Sequence, residues 1–218
     1  MDKITLYSYC KSSAAYRVRI ALNLKSLNYD IETVNLTPGI DENWKPGYLR
    51  INPQGFVPAL NVNGETIVQS SAIIEYLEET YISNPLLPEE NIIRAFTRSL
   101  SQIINCDIHP LNNLRVLNYL KNDLDCEQEQ INKWYCHWII QGLKAFEEQL
   151  KNHNYTAKFC AGDKPGLADS SLIPQLYNAR RYSCNLSGFT RLLEIEENCL
   201  ELRSFELAAP EQQIDFTG

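Results

Sequence analysis

The 218-residue chain has no apolar run approaching the roughly 18 residues that a membrane span needs. It also has no internal repeat and no low-complexity tract. Its opening residues, Met1-Asp2-Lys3-Ile4-Thr5-Leu6, lack the apolar core of a secretory signal. No Cys-x-x-Cys pair occurs; seven cysteines lie scattered at 10, 106, 126, 136, 160, 184 and 199. An odd, dispersed set argues against a disulfide framework and against a zinc site. Positive charge is scarce: 20 Lys and Arg face 27 Asp and Glu, for a net charge of −7. That balance disfavours nucleic acid and anionic membranes as partners. The expectation is a cytoplasmic protein that must gather positive charge locally if it handles an anion. The glycosylation sequons at Asn35, Asn154 and Asn185 then read as chance matches.

What remains is an ordinary globular composition, 44% hydrophobic and 22% charged, long enough for a sizeable core. The first 80 or so residues read as mixed α/β. Alternation predicts a strand over 3–8, and an apolar face containing Ala14, Val18, Ala21 and Leu22 predicts a helix from about 14 to 25. A second strand is expected over 29–36. Asn63-Gly64 between two apolar runs predicts a hairpin with a type I′ turn. Ser70 is placed to cap a following helix. From Ile92 onward the periodicity is helical, and "INKWYCHWIIQGLKAFEEQL" predicts a long helix. The expected division is an α/β domain over 1–82, a Pro-rich linker over 83–90 and an all-α domain over 91–218.

The segment "SYCKSSAAYR" brings Cys10, Ser12 and Ser13 to a strand-to-helix turn. Two chemistries fit. Cys10 and Ser13 form a Cys-x-x-Ser pair that would act through its own thiol. Alternatively, a hydroxyl at the positive end of a helix can donate to a bound thiolate and lower its pKa. The plainer role for such a Ser is an N-cap, and for a single Cys a buried apolar side chain.

"SS" followed by "YRVRIALNLK", then "INPQGFVPAL", "QSSAIIEYLEE", "CDIHPLNNLRVLNYL" and "GDKPGLADSSLIPQLYNARRY" resemble, in order and over nearly the whole chain, the zeta class of glutathione transferases. The resemblance implies a thioredoxin-like α/β domain followed by an all-α domain. It implies glutathione as cofactor and a homodimer. Counting back from Arg17, it places the thiolate stabiliser at Ser12, with Ser13 beside it. The family's Ser-Ser-Cys-Ser reads Ser12-Ser13-Ala14-Ala15 here, and the Arg that precedes it is Lys11. Lys11 offers a carboxylate a point charge rather than a bidentate fork.

The same resemblance implies that Val57, next to a cis bond to Pro58, and Gln69, Ser70 and Asn43 contact glutathione. His109, Asn113 and Arg115 are implied on the helical side, while Lys11, Arg115 and Arg181 would receive the carboxylates of a small dicarboxylate substrate. A solvated helix face is the plainer role for the helical set. Asp169 is expected to be structural, with Gly166 where the family has a capping hydroxyl. The implied reaction is conversion of maleylacetoacetate to fumarylacetoacetate in aromatic amino-acid catabolism, by thiolate addition, bond rotation and elimination. Alternatives are maleylpyruvate isomerisation, glutathione transfer or dehalogenation on α-halo acids, non-catalytic glutathione binding, and thiol–disulfide exchange at Cys10.

Overall fold

The computed structural model describes residues 2–217. The chain divides into two compact units, Met1–Leu86 together with Leu200–Gly218, and Leu87–Cys199. In the first unit, β1 (Ile4–Ser8) leads into α1 (Ser13–Leu24), then β2 (Asp30–Thr33), the short α2 (Pro46–Leu49), β3 (Ala59–Val62), β4 (Glu65–Val68) and α3 (Ser70–Thr80). The sheet order is β2-β1-β3-β4, with β1 parallel to β2 and antiparallel to β3. Burial alternates along β1, which buries Ile4 and Leu6, while β3 buries Ala59 and Leu60 together, beside Val18, Ile20 and Leu22 of α1 and Ile73, Ile74 and Leu77 of α3. The β3–β4 connection is the expected hairpin, with both Asn63 (φ 54) and Gly64 (φ 99) left-handed. The Val57-Pro58 bond is cis.

Two expectations change here. Ser70 does not cap α3: Gln69 holds the cap position, and Ser70 is the first helical residue. Residues 200–218, assigned to the helical domain by pattern, pack with the sheet domain. The reason lies in α9 (Arg203–Glu206) and the segment after it. Phe205 and Ala208 are fully buried, and Asn23 of α1 donates to Ser204 O at 2.9 Å.

The second unit contains α4 (Asn91–Gln102), a π-helical stretch (Ile103–Ile108), a 3₁₀ turn (His109–Asn112), α5 (Leu114–Asn122), α6 (Gln128–Asn152), α7 (Leu167–Arg181) and most of α8 (Thr190–Leu200). Asp169 anchors the start of α7 from a fully desolvated position, accepting from Cys160 N at 3.0 Å and Gly166 N at 2.8 Å. It is structural, as expected. Gly142 lets α6 lie directly on the π-helical stretch, since a Cβ there would collide with the Ile108 side chain. The expectation of no disulfide fails at one pair: Cys136 of α6 is bonded to Cys184, just beyond α7, with Cα atoms 5.4 Å apart. No helix among the described residues is long and apolar enough to cross a membrane.

Candidate active site

Ser12 sits at the N-cap of α1 in extended backbone (φ −78, ψ 113). Its Oγ accepts a hydrogen bond from Ala15 N at 3.2 Å, and its own N–H donates to Tyr9 O at 3.0 Å. The capping bond uses an oxygen lone pair and leaves the hydroxyl proton for another acceptor. Ser13 is the first helical residue and is buried. Neither α1 nor α3 carries an acidic residue in its first turn, so no side-chain charge within either helix cancels its positive end. The α3 terminus also lacks a side-chain cap. These two helix starts fit an anionic peptide that carries a thiolate and a carboxylate.

The surrounding residues are held by specific contacts. Gln69 adopts φ +72, a left-handed conformation costing on the order of 1–3 kcal/mol for a non-glycine residue, and its Nε2 donates to Gln54 Oε1 at 2.7 Å. Ser70 is buried, and its Oγ accepts from Arg17 Nη1 at 3.3 Å. That bond ties α1 to α3. Val57 precedes β3 and is almost fully buried. Asn43 is buried too, but its Nδ2 donates to Gly55 O at 2.9 Å, so its amide holds the loop that precedes the cis bond. This bond gives Asn43 a structural role.

Cys10 lies in the turn two residues beyond β1, 1% exposed, with its Sγ donating to Asp215 O at 3.4 Å. Burial pushes the Cys10 thiol up, and the nearby Asp215 carboxylate adds to the shift. A buried, protonated thiol is unsuited to disulfide exchange. Lys11 is half-buried, its ammonium 5.5 Å from the centre of the Phe216 ring. Asp215 and Phe216 are site neighbours that sequence reasoning missed. An Asp and a Phe in a polar segment carry no periodic signal.

In the second unit, His109 opens the 3₁₀ turn and Asn113 caps α5, its Oδ1 accepting from Arg115 N at 3.1 Å. The turn is fixed to α6 by Trp134 Nε1 donating to Leu111 O at 2.9 Å and Asn112 Nδ2 donating to Tyr135 O at 3.0 Å. Arg115 is exposed. At the end of α7 the neighbours Arg180 and Arg181 diverge. Arg180 forms a two-pronged ion pair with the largely buried Glu196, while the exposed Arg181 makes a long 3.4 Å bond to Asn178 Oδ1. The preceding π-helical stretch, a geometry found often at functional sites, delivers His109 to its turn.

A mixed four-strand sheet with a cis-proline before β3, a Ser-capped first helix and a separate helical unit defines the glutathione transferase architecture. Residues 11–80 match the model of the glutathione S-transferase N-terminal domain. Maleylacetoacetate isomerase of Pseudomonas aeruginosa is 44% identical over 211 residues, spanning 96% of this chain and 97% of that protein. A holo maleylpyruvate isomerase, a bacterial zeta-class transferase, superposes with a TM-score of 0.95 at 39% identity, covering 98% of this chain and all of that one (100%). Maleylacetoacetate isomerase from Methylobacterium extorquens AM1, solved with bound malonate and glutathione, gives a TM-score of 0.93 at 38% identity, with coverages of 98% and 100%. The chain belongs to the glutathione S-transferase family, and within it to the zeta class.

Proposed function

We propose that the protein is a glutathione-dependent cis–trans isomerase converting maleylacetoacetate to fumarylacetoacetate in aromatic amino-acid catabolism. The observation that carries this reading is Ser12, whose capping bond to Ala15 N leaves its proton for a thiolate at the start of α1. When bound, glutathione supplies a thiolate that adds reversibly to the activated cis double bond and lets it rotate. The chain's own part is to hold and discharge. Ser12 donates to the sulfur, and the α1 dipole favours its negative charge. Val57 offers backbone to the cysteinyl unit, and Gln69 and Ser70 receive the γ-glutamyl end at the start of α3. Lys11, Arg115 and Arg181 are the cations offered to substrate carboxylates. His109 and Asn113 complete the set on the helical unit. Asn43 supports its loop. A cytoplasmic homodimer is part of the same reading.

The second reading, the same chemistry on maleylpyruvate, is favoured by the likeness to the holo maleylpyruvate isomerase above and by a maleylpyruvate isomerase of Ralstonia that is 40% identical over 210 residues, nearly level with the other relatives. The deciding experiment follows both acids with catalytic amounts of glutathione, in wild type, Ser12→Ala and Cys10→Ala. Turnover lost in the Ser12 variant and kept in the Cys10 variant supports the proposal. Glutathione binding without turnover of either acid overturns it. Products heavier than the substrate by one whole glutathione, its thiol and proton added across the double bond, would establish a conjugating transferase instead.

A further inference from the structure

The C-terminal residues return to the turn that carries Ser12. Arg19, fully buried in α1, donates through Nε to Ala208 O at 2.8 Å. Its Nη1 donates to Ser8 Oγ at 3.0 Å and Tyr9 O at 3.4 Å, and its Nη2 to Cys10 O at 3.1 Å. One guanidinium thus fastens position 208 to the end of β1. Farther on, Gln213 Nε2 donates to Leu207 O and Ala209 O, and Phe216 N–H closes a turn onto Gln213 O at 3.0 Å. That turn presents Asp215 and Phe216 to the loop before α1. Asp215 Oδ2 accepts from Cys10 N at 2.9 Å, Asp215 O accepts from the Cys10 thiol, and the Phe216 ring faces the Lys11 ammonium.

We infer that Asp215 and Phe216 are positioning residues of the active site: Asp215 fixes the turn from which Ser12 projects, and Phe216 fixes the Lys11 ammonium for a substrate carboxylate. The Phe216 half rests on the reading given under Proposed function. Cys10 N–H lies outside the α1 ladder, and a carboxylate is the strong acceptor for such a donor. The negative charge itself works against a neighbouring thiolate, as its upward push on Cys10 shows. The contribution assigned to Asp215 is therefore geometric. Lys11 has a four-carbon stem, and a ring beside its ammonium restricts the rotamers that binding must otherwise freeze.

The test uses the full chain with Asp215→Asn, Asp215→Ala and Phe216→Leu. Asn and Ala both remove the charge, but Asn keeps an acceptor for Cys10 N–H, so their difference isolates the hydrogen bond. The ultraviolet absorbance of bound glutathione thiolate, titrated with pH, should give Asp215→Ala about threefold less thiolate than Asp215→Asn near neutrality. Equal curves overturn the Asp215 role. If the Ala variant does not fold, Asp215→Ser, which loses the reach but keeps polarity, takes its place. Phe216→Leu should raise KM for the dicarboxylate about two- to fivefold, with kcat within about twofold and KM for glutathione unchanged. A dicarboxylate KM at or below the wild-type value overturns the Phe216 role. Should the wild type turn over neither acid, the isomerase reading fails while the thiolate titration still decides Asp215. Phe216 is then decided by the Kd for malonate in saturating glutathione, with the same fold-change expected.

Discussion

Replacing Ser12 by glycine separates the two jobs that the proposed function gives to one hydroxyl. As a cap, Ser12 Oγ accepts from Ala15 N at 3.2 Å. Loss of such a cap costs about 1 kcal/mol when the replacement is alanine but only a few tenths when it is glycine. For a chain of this size, Ser12→Ala should lower Tm by about 2–4 °C and Ser12→Gly by about 1 °C. As a donor to a thiolate, the proposed second job, the hydroxyl would make a hydrogen bond to a charged group, worth about 1.5–3 kcal/mol. Both variants lose all of that. The bound thiol pKa should therefore rise by about 1–2 units, and turnover near neutral pH should fall about 10- to 150-fold. The sign of the pH response follows. A raised thiol pKa means that thiolate, and with it activity, recovers as pH climbs, so both variants should regain much of their rate under alkaline conditions. Thermal melts, thiolate absorbance titrations and initial rates from pH 6 to about 9 provide the comparison. Ser12→Gly with wild-type melting, wild-type thiol pKa and wild-type rate would reduce Ser12 to a cap and leave thiolate stabilisation to the helix terminus.

Three further outcomes are expected. Cys10→Ala should keep turnover within about twofold, and native Cys10, its thiol pushed up by burial and then by Asp215, should resist iodoacetamide at pH 8 while exposed Cys106 reacts, as read by peptide mass mapping. Equal labelling of the two would contradict the burial argument. Thiol titration in denaturant without reductant should count five groups, rising to seven after reduction, because Cys136 and Cys184 are joined. Seven before reduction would refute the bond. Asp169→Asn should destabilise by about 2–3 kcal/mol in chemical denaturation, since the amide must turn a donor toward either Cys160 N or Gly166 N. Burial raises the Asp169 carboxyl against the pull of those donors, so the folded state takes up its proton before the unfolded state does. Its ionisation therefore costs stability as pH rises between the two values. Loss of stability on acidification should accordingly be no smaller in Asp169→Asn than in the wild type.

Local chemistry made the sheet domain legible. Alternation at 3–8, the Asn63-Gly64 turn and the amphipathic face of α1 each have one favourable backbone solution, and each formed as read. The long helix α6 was equally plain, since Ile131, Tyr135, Ile139, Leu143, Phe146 and Leu150 recur on its buried side. What escaped depends on distance along the chain. Cys136 and Cys184 are 48 residues apart and meet only because α6 and the end of α7 lie together. Asp215 meets Cys10 across 205 residues. Ser70 reads equally well as cap or first helical residue until the backbone of Gln69 turns left-handed. Asn43 is ambiguous for a related reason. An amide can face a ligand or a neighbouring carbonyl, and only the position of Gly55 O decides between them.

The electrostatics of the site now follow without appeal to net charge. A chain of net charge −7 gathers positive potential here from parts that a residue count overlooks. Two helix N-termini contribute partial charges with no acidic side chain in either first turn to cancel them. Two guanidiniums lie buried on α1, Arg17 bonded to Ser70 and Arg19 bonded to the carbonyls of Tyr9 and Cys10. Burial lowers Arg19 to about 10, which still leaves it protonated at neutral pH. The hydrogen bonds of Arg19 go to uncharged oxygens, while the nearby Asp215 carboxylate acts on it through space and offsets part of its charge. In a poorly screened interior such charges reach farther than exposed lysines do. A thiolate at Ser12 and a carboxylate at Ser70 would therefore both lie in a field that the scaffold maintains, and Lys11 would need to answer only for the substrate. On this argument, raising ionic strength should weaken dicarboxylate binding through the proposed cations, half-buried Lys11 and exposed Arg115 and Arg181, well before it moves the thiol pKa of bound glutathione. Parallel salt titrations of the two quantities would expose the opposite order if the buried cations contributed nothing.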